Sequence, residues 1–201
     1  MIEEFVNKKY LAKFAELKKV FSAGKPFPHL VLKNFFSSKK IEKVLQSLLE
    51  QEFDEKNTDL FQFKQSKDFM GIQKGLLKEF RDFFSSEEFL EFISKITSTN
   101  LKKIDMSAFI YSDKDYLLPH DDQLEGRKIA YVINLSKNFS KKNGGALELF
   151  NSKNSRPLKI VKSYLPEFNS LVLFKVSKNS WHRVSEVIEK DRISLTGWFH
   201  G

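Results

Sequence analysis

Two stretches of the chain carry side chains that can hold one metal ion between them. Leu117-Leu118-Pro119-His120-Asp121-Asp122 offers an imidazole and, two residues on, a carboxylate. In a β-strand the side chains at i and i+2 point to the same face, so His120 and Asp122 can grip an ion together. Ser180-Trp181-His182-Arg183-Val184 supplies a second imidazole sixty residues beyond Asp122. Two histidines and one carboxylate on one face of an octahedron leave three positions open, a donor set that suits Fe(II). Arg192 follows inside the strand-like run 192–199. An arginine in an apolar strand is costly unless paired, and a bound dicarboxylate would meet its guanidinium in a bidentate fork. Ser194, at i+2, shares that face and adds a hydroxyl donor. Taken singly, each residue has a plainer reading. His120 and Asp122 can simply end a strand in a surface loop, His182 can pack beside Trp181, and Arg192 can pair with Glu186, Glu189 or Asp191. The joint pattern is stronger than its parts because its halves lie far apart and each begins or ends an expected strand.

The elements that must position these residues divide at about residue 100. Val6, Tyr10, Phe14, Leu17 and Phe21 recur at steps of three and four, which predicts an amphipathic helix over 2–23. Gly24 and Pro26 end it. Residues 27–36 have β character. Ser37 or Ser38 then caps a helix with Ile41, Val44, Leu45, Leu48 and Leu49 on its apolar face. Residues 54–75 are polar and give no clear period around Leu60, Phe61 and Phe63. A third helix carries Leu76 to Phe84, and Ser85 with Glu88 fits a capping box ahead of a fourth. After Asn100 the period changes to short strands at 104–111, 127–135, 146–150, 158–165, 171–176 and 192–199, separated by turn signals such as Lys141-Lys142-Asn143-Gly144-Gly145. The pattern predicts an α+β chain. Its C-terminal half is a β-sandwich or a jelly roll (double-stranded β-helix), buttressed by N-terminal helices, in one domain over 1–201 with helical support over 1–100 and the β core over 101–201.

Composition narrows the chemistry. With 201 residues and 21 phenylalanines the chain can bury one substantial core. It has no cysteine, which excludes disulfides, thiolate metal sites and thiol catalysis and fits a reducing, cytoplasmic setting. The charged start Met1-Ile2-Glu3-Glu4-Phe5 has no signal-peptide character, and no apolar run is long enough to span a membrane. The formal charge of +8 has two readings, a lysine-rich solvated surface or attraction to nucleic acid, a ribonucleoprotein or an acidic partner. His29 reads as a strand-edge residue and His200 as a packing residue near the end of the chain.

With these residues in view, the sequence resembles the Fe(II)/2-oxoglutarate-dependent dioxygenases. His120-x-Asp122, His182 and Arg192-x-Ser194 stand in that family's order. Asp105-Met106-Ser107, Leu124-Glu125-Gly126-Arg127, Gly144-Gly145-x-Leu147, Val184-Ser185-Glu186-Val187 and Ser194 to Gly201 are similar to its ribosomal-protein prolyl hydroxylase branch, which is prolyl 3-hydroxylase-like. The resemblance covers roughly 25–201. It implies that His120, Asp122 and His182 hold Fe(II), and that Arg192, helped by Ser194, binds the distal carboxylate of 2-oxoglutarate. Tyr111 falls where the family has a tyrosine that contacts the cosubstrate, or it is an ordinary half-buried strand residue. Asn134 stands where the family usually has a second tyrosine, and its shorter side chain can still hydrogen-bond. Asp121 and Glu125 read as solvated loop charges or as substrate contacts. The implied reaction consumes dioxygen and 2-oxoglutarate, with ascorbate as accessory reductant. It hydroxylates a proline of a small-subunit ribosomal protein and releases succinate and carbon dioxide. Family members in eukaryotes carry a second, non-catalytic jelly roll, and this chain is expected to hold the first alone. Two other readings remain open, the same chemistry on a nucleic acid and a non-catalytic jelly-roll binding module.

Overall fold

A computed structural model describes residues 2–201. Its first half supplies helices α1 (Ile2–Phe5), α2 (Lys8–Leu11), α3 (Phe14–Ala23), α4 (Ser38–Leu49), α5 (Leu76–Phe84) and α6 (Glu87–Thr97). The same half also supplies strands β1 (His29–Lys33), β2 (Phe53–Thr58) and β3 (Phe61–Ser66). The second half adds β4 (Lys103–Ile104), β5 (Ser107–Tyr111), β6 (Tyr116–His120), β7 (Arg127–Asn134), β8 (Leu147–Lys153), β9 (Arg156–Tyr164), β10 (Ser170–Lys175), β11 (His182–Val184) and β12 (Arg192–His200).

The strands form one antiparallel sheet in the order β1-β10-β7-β12-β5-β3-β6-β11-β8-β9, with β2 on β3 and β4 on β12. The sheet curls until its two ends meet. There His29 Nε2 on β1 lies 2.7 Å from the Tyr164 hydroxyl on β9. This is the expected jelly roll, although β1, β2 and β3 come from the half read as helical. Strands β7 and β10 are buried on both faces and so read as near-continuous apolar runs, whereas β12 mixes buried and half-buried positions and carries Arg192, Ser194 and Thr196 among its apolar residues. On β7, Ile129, Tyr131 and Ile133 face the helices, whereas Ala130 and Val132 face the barrel interior.

Phenylalanines fill the space between helices and sheet. Phe84 of α5 stacks on Phe199 of β12 at 5.4 Å and meets Tyr131 of β7 at 4.7 Å, while Phe83 and Phe89 close the layer from α5 and α6. Such ring pairs add to the burial energy of each side chain, so the helices hold the wall of the sheet that carries Arg192 and Ser194.

Two local expectations fail, and a stretch without a clear period proves to be a hairpin. The helix over 2–23 is three short helices. The Asn7 side chain caps α2 by accepting from Lys9 N at 3.2 Å, and its backbone amide donates to Phe35 O at 2.8 Å. An Asn that binds nearby amides competes with helix continuation. The cap of α6 is Ser86, which accepts from Phe89 N at 3.3 Å, and Glu88 accepts instead from the backbone amide of Ile2 at 3.1 Å. Residues 54–75 contain most of the β2–β3 hairpin. Strand β2 is solvated on both sides and has no alternation to betray it.

Candidate active site

Strands β6 and β11 lie side by side and set His120 opposite His182. His120 is the last residue of β6. Asp122 lies beyond it with φ 61°, in the left-handed region, so the strand geometry expected for this pair does not apply. A turn folds the carboxylate back beneath the imidazoles instead. The turn is fixed by Ser180 Oγ, which donates to Asp121 O at 2.8 Å, and by Gln123 N, which donates to Asp121 Oδ1 at 3.0 Å.

The three side chains converge. His120 Nε2 is 3.4 Å from Asp122 Oδ1, and His182 Nε2 is 3.3 Å from Asp122 Oδ2. Their ligand atoms all lie within 4.8 Å of one another. Each imidazole is oriented from behind, His120 Nδ1 by Leu118 O at 2.9 Å and His182 Nδ1 by Ser180 O at 2.8 Å. A carbonyl only accepts, so this network assigns the proton to Nδ1 in both rings. Both Nε2 atoms then face carboxylate oxygens, an arrangement that a proton or a metal cation between them satisfies. The donor set therefore fits a divalent transition metal. Burial opposes charge at both His120 and Asp122. Even so, Asp122 raises the pKa of His120, and the two imidazoles hold Asp122 well below the usual carboxylate range.

Arg192 begins β12 and is 2% exposed. None of Glu186, Glu189 or Asp191 pairs with it. Its Nη1 donates to Ser194 Oγ at 3.3 Å, its guanidinium lies 5.1 Å over the Tyr111 ring, and its buried Nε has no partner. Burial pushes the Arg192 pKa down, with Tyr111 opposing, and burial pushes the Tyr111 phenol well up. Tyr111 is thus a neutral hydroxyl at physiological pH. A buried guanidinium without a carboxylate is costly, and here it lines a cavity of about 520 Å³ together with Tyr111 and the three convergent residues. The cavity accordingly offers a metal site and an anion site.

The remaining expected residues are placed less directly. Ser194 is fully buried and supports Arg192. Asn134 is paired in register with Ser194, but its amide donates to Ser170 Oγ at 3.0 Å and its buried oxygen has no partner. Among the cavity wall residues, sequence reasoning gave no role to Arg127 or Trp198. The Arg127 guanidinium lies 3.3 Å over the Trp198 ring, and its Nη1 is 3.9 Å from Asp122 Oδ1. Trp198 was findable, because it lies six residues after Arg192 on the same strand face. Glu125 is exposed, and Asp121 serves the turn. His200 Nε2 bonds Asp105 at 3.0 Å and His29 bonds Tyr164, so both are structural as expected.

Comparison with known proteins gives this geometry a family. Residues 106–200 match the 2OG-Fe(II) oxygenase superfamily. Prolyl 3-hydroxylase OGFOD1 of Xenopus laevis is 43% identical over 181 residues, 88% of this chain and 35% of that protein. Prolyl 3,4-dihydroxylase OGFOD1 of Ostreococcus tauri is 34% identical over 197 residues, 87% of this chain and 38% of that protein. The chain thus spans about a third of the length of these curated relatives. In fold it is similar to a prolyl-4-hydroxylase from Pseudomonas putida, with TM-score 0.74 and 17% identity over 92% of this chain and 98% of that one. It is also similar to a Trichoplax adhaerens prolyl hydroxylase solved with a hypoxia inducible factor peptide, with TM-score 0.73 and 18% identity over 96% and 93%. The chain carries a domain of the 2OG-Fe(II) oxygenase superfamily.

Proposed function

We propose that this chain is a 2-oxoglutarate- and Fe(II)-dependent dioxygenase that hydroxylates a prolyl residue of a protein, and that the protein belongs to the small ribosomal subunit. The observation that carries this reading is the pairing, in one cavity, of the His120-Asp122-His182 cluster with a buried Arg192 that has no anion of its own. The relatives named as prolyl hydroxylases support the choice of reaction.

In this reading His120, Asp122 and His182 hold Fe(II). Arg192 binds the carboxylate of 2-oxoglutarate remote from the metal, Ser194 steadies the guanidinium, and the neutral hydroxyl of Tyr111 donates to the same carboxylate. Asn134, paired in register with Ser194 across β7 and β12, adds a polar side chain to the wall that binds the cosubstrate. Bound together, iron, 2-oxoglutarate and dioxygen supply an oxidative decarboxylation that yields succinate and carbon dioxide and puts one oxygen atom into a substrate C–H bond, with ascorbate as accessory reductant. The chain's own work is positioning and exclusion. The carbonyls of Leu118 and Ser180 fix both imidazoles. Phe61, Phe63, Phe174 and Val184 make the walls apolar and keep water from the reacting centre. The helices and strands β1–β3 of residues 1–100 and the β core of 101–201 act as one catalytic unit, and the chain works in the cytoplasm.

The test is intact-protein mass spectrometry of small-subunit ribosomal proteins incubated with the enzyme, Fe(II) and 2-oxoglutarate. One protein gains the mass of one oxygen, mapped to a proline, and His182→Ala abolishes the gain. Faster turnover of a methylated oligonucleotide than of any ribosomal protein would reject the substrate assignment.

A further inference from the structure

The formal charge of +8 is not spread over the chain. Residues 127–182 contain eleven lysines and arginines and two acids, whereas the other residues contain 23 and 24. Both acids of the segment are neutralised from outside it, Glu148 by Arg183 at 2.6 Å and Glu167 by Lys33 at 2.7 Å. Lys128, Lys153, Arg156, Lys159, Lys175 and Lys178 are exposed, and among the described residues none of them joins an ion pair.

The fold gathers these six cations. Lys153 and Arg156 face each other across the β8–β9 turn. Ser152 Oγ donates to Asn179 Oδ1 at 3.1 Å, which brings the 175–180 loop against that turn. Val176 N donates to Lys128 O at 2.9 Å and ties in the start of β7. The same loop is fastened to Asp121 through Ser180, so the basic face reaches the rim of the cavity. Protection of a sheet edge explains lysines on β9. It does not explain Lys128, Lys175 and Lys178, which lie at the ends of interior strands and in a loop. Like charges gathered without acids repel one another and cost stability, and a polyanion relieves that repulsion.

We propose that this face binds the phosphodiester backbone of a nucleic acid beside the cavity mouth. Its exposed side chains are cations, the neutral polar Asn154, Ser163 and Asn179, and the aliphatic Leu158, Ile160 and Val161, with no exposed aromatic ring. The contact is therefore to phosphate and independent of base sequence. The proposal does not depend on the chemistry assigned to the cavity.

The test is fluorescence anisotropy of a labelled single-stranded RNA of about 20 nucleotides with the full chain. With about five phosphates neutralised, log affinity falls against log salt with a slope of about −3.5, roughly a hundredfold loss between 50 and 200 mM. Lys153→Glu/Arg156→Glu/Lys159→Glu weakens binding more than tenfold and makes the slope shallower. Lys8→Glu/Lys18→Glu/Lys43→Glu makes the same charge change on the helices and costs less than threefold, and circular dichroism confirms that both variants fold. Equal loss in the two variants, binding insensitive to salt, or tighter binding of polyglutamate than of RNA would overturn the proposal.

Discussion

Replacing Arg192 by Met should leave the stability of the ligand-free protein within about 2 kcal/mol of wild type while removing its response to 2-oxoglutarate. The guanidinium is 2% exposed, has no carboxylate partner and leaves a buried Nε unsatisfied. Replacing a buried charge by an apolar side chain of similar volume is often neutral or stabilising, by about 1–4 kcal/mol. Against this, Arg192→Met loses the contact over Tyr111, worth about 1 kcal/mol, and the hydrogen bond to Ser194, worth about 1 kcal/mol. The net runs from about 2 kcal/mol against the variant to about 2 kcal/mol in its favour, which keeps its Tm within about 6 °C of wild type at roughly 3 °C per kcal/mol for a chain of this size. Wild type with metal and 2-oxoglutarate at a hundred times Kd gains about 2.7 kcal/mol, and the variant gains none. Chemical denaturation with and without 2-oxoglutarate measures both quantities. If Arg192→Met destabilises the ligand-free protein by about 3 kcal/mol or more and still responds to 2-oxoglutarate, Arg192 is a structural residue and the reasoning fails.

Two further outcomes follow from the fold. His29 is buried, with Nδ1 2.8 Å from Phe27 O and Nε2 2.7 Å from the Tyr164 hydroxyl, and burial lowers its pKa. The unfolded chain therefore takes up that proton first as the pH falls. This part of the stability is complete above the unfolded value of 6.5 and is lost as pH drops through it, so His29→Asn should flatten the acid side of the stability curve in urea titrations. A β-carbon at Gly197 would lie 2.1 Å from Asp105 O, whereas one at Gly71 meets nothing within 4 Å. Gly197→Ala should cost about 3 kcal/mol and Gly71→Ala less than about 0.5 kcal/mol, both readable as shifts in denaturation midpoint.

The sequence announced the ligands better than their geometry. His120, Asp122 and His182 were legible because imidazole and carboxylate stood at the margins of expected strands in a chain without thiols. The turn that delivers Asp122 was not, since a left-handed Asp looks in sequence like any residue two beyond a histidine. Arg192 was legible as an anomaly in an apolar run, but whether a neighbouring acid neutralises it is a tertiary fact. Arg127 sits over Trp198 only because β7 and β12 are neighbours in the sheet. The strands buried on both faces came through as apolar runs, whereas β2, solvated on both faces, left no trace. Periodicity over 2–23 predicted one helix because Val6 and Tyr10 keep the spacing across a break that Asn7 imposes through its side chain.

The central claim is that the His120-Asp122-His182 cluster and Arg192 form one metal-and-cosubstrate site. The direct measurement is an anaerobic titration of the protein with Fe(II) and then 2-oxoglutarate, followed by visible absorption. The account predicts a charge-transfer band that needs both additions, is lost in Asp122→Ala, and requires far more 2-oxoglutarate in Arg192→Met. A band of unchanged intensity in Asp122→Ala, or no band in the wild-type protein, would contradict it.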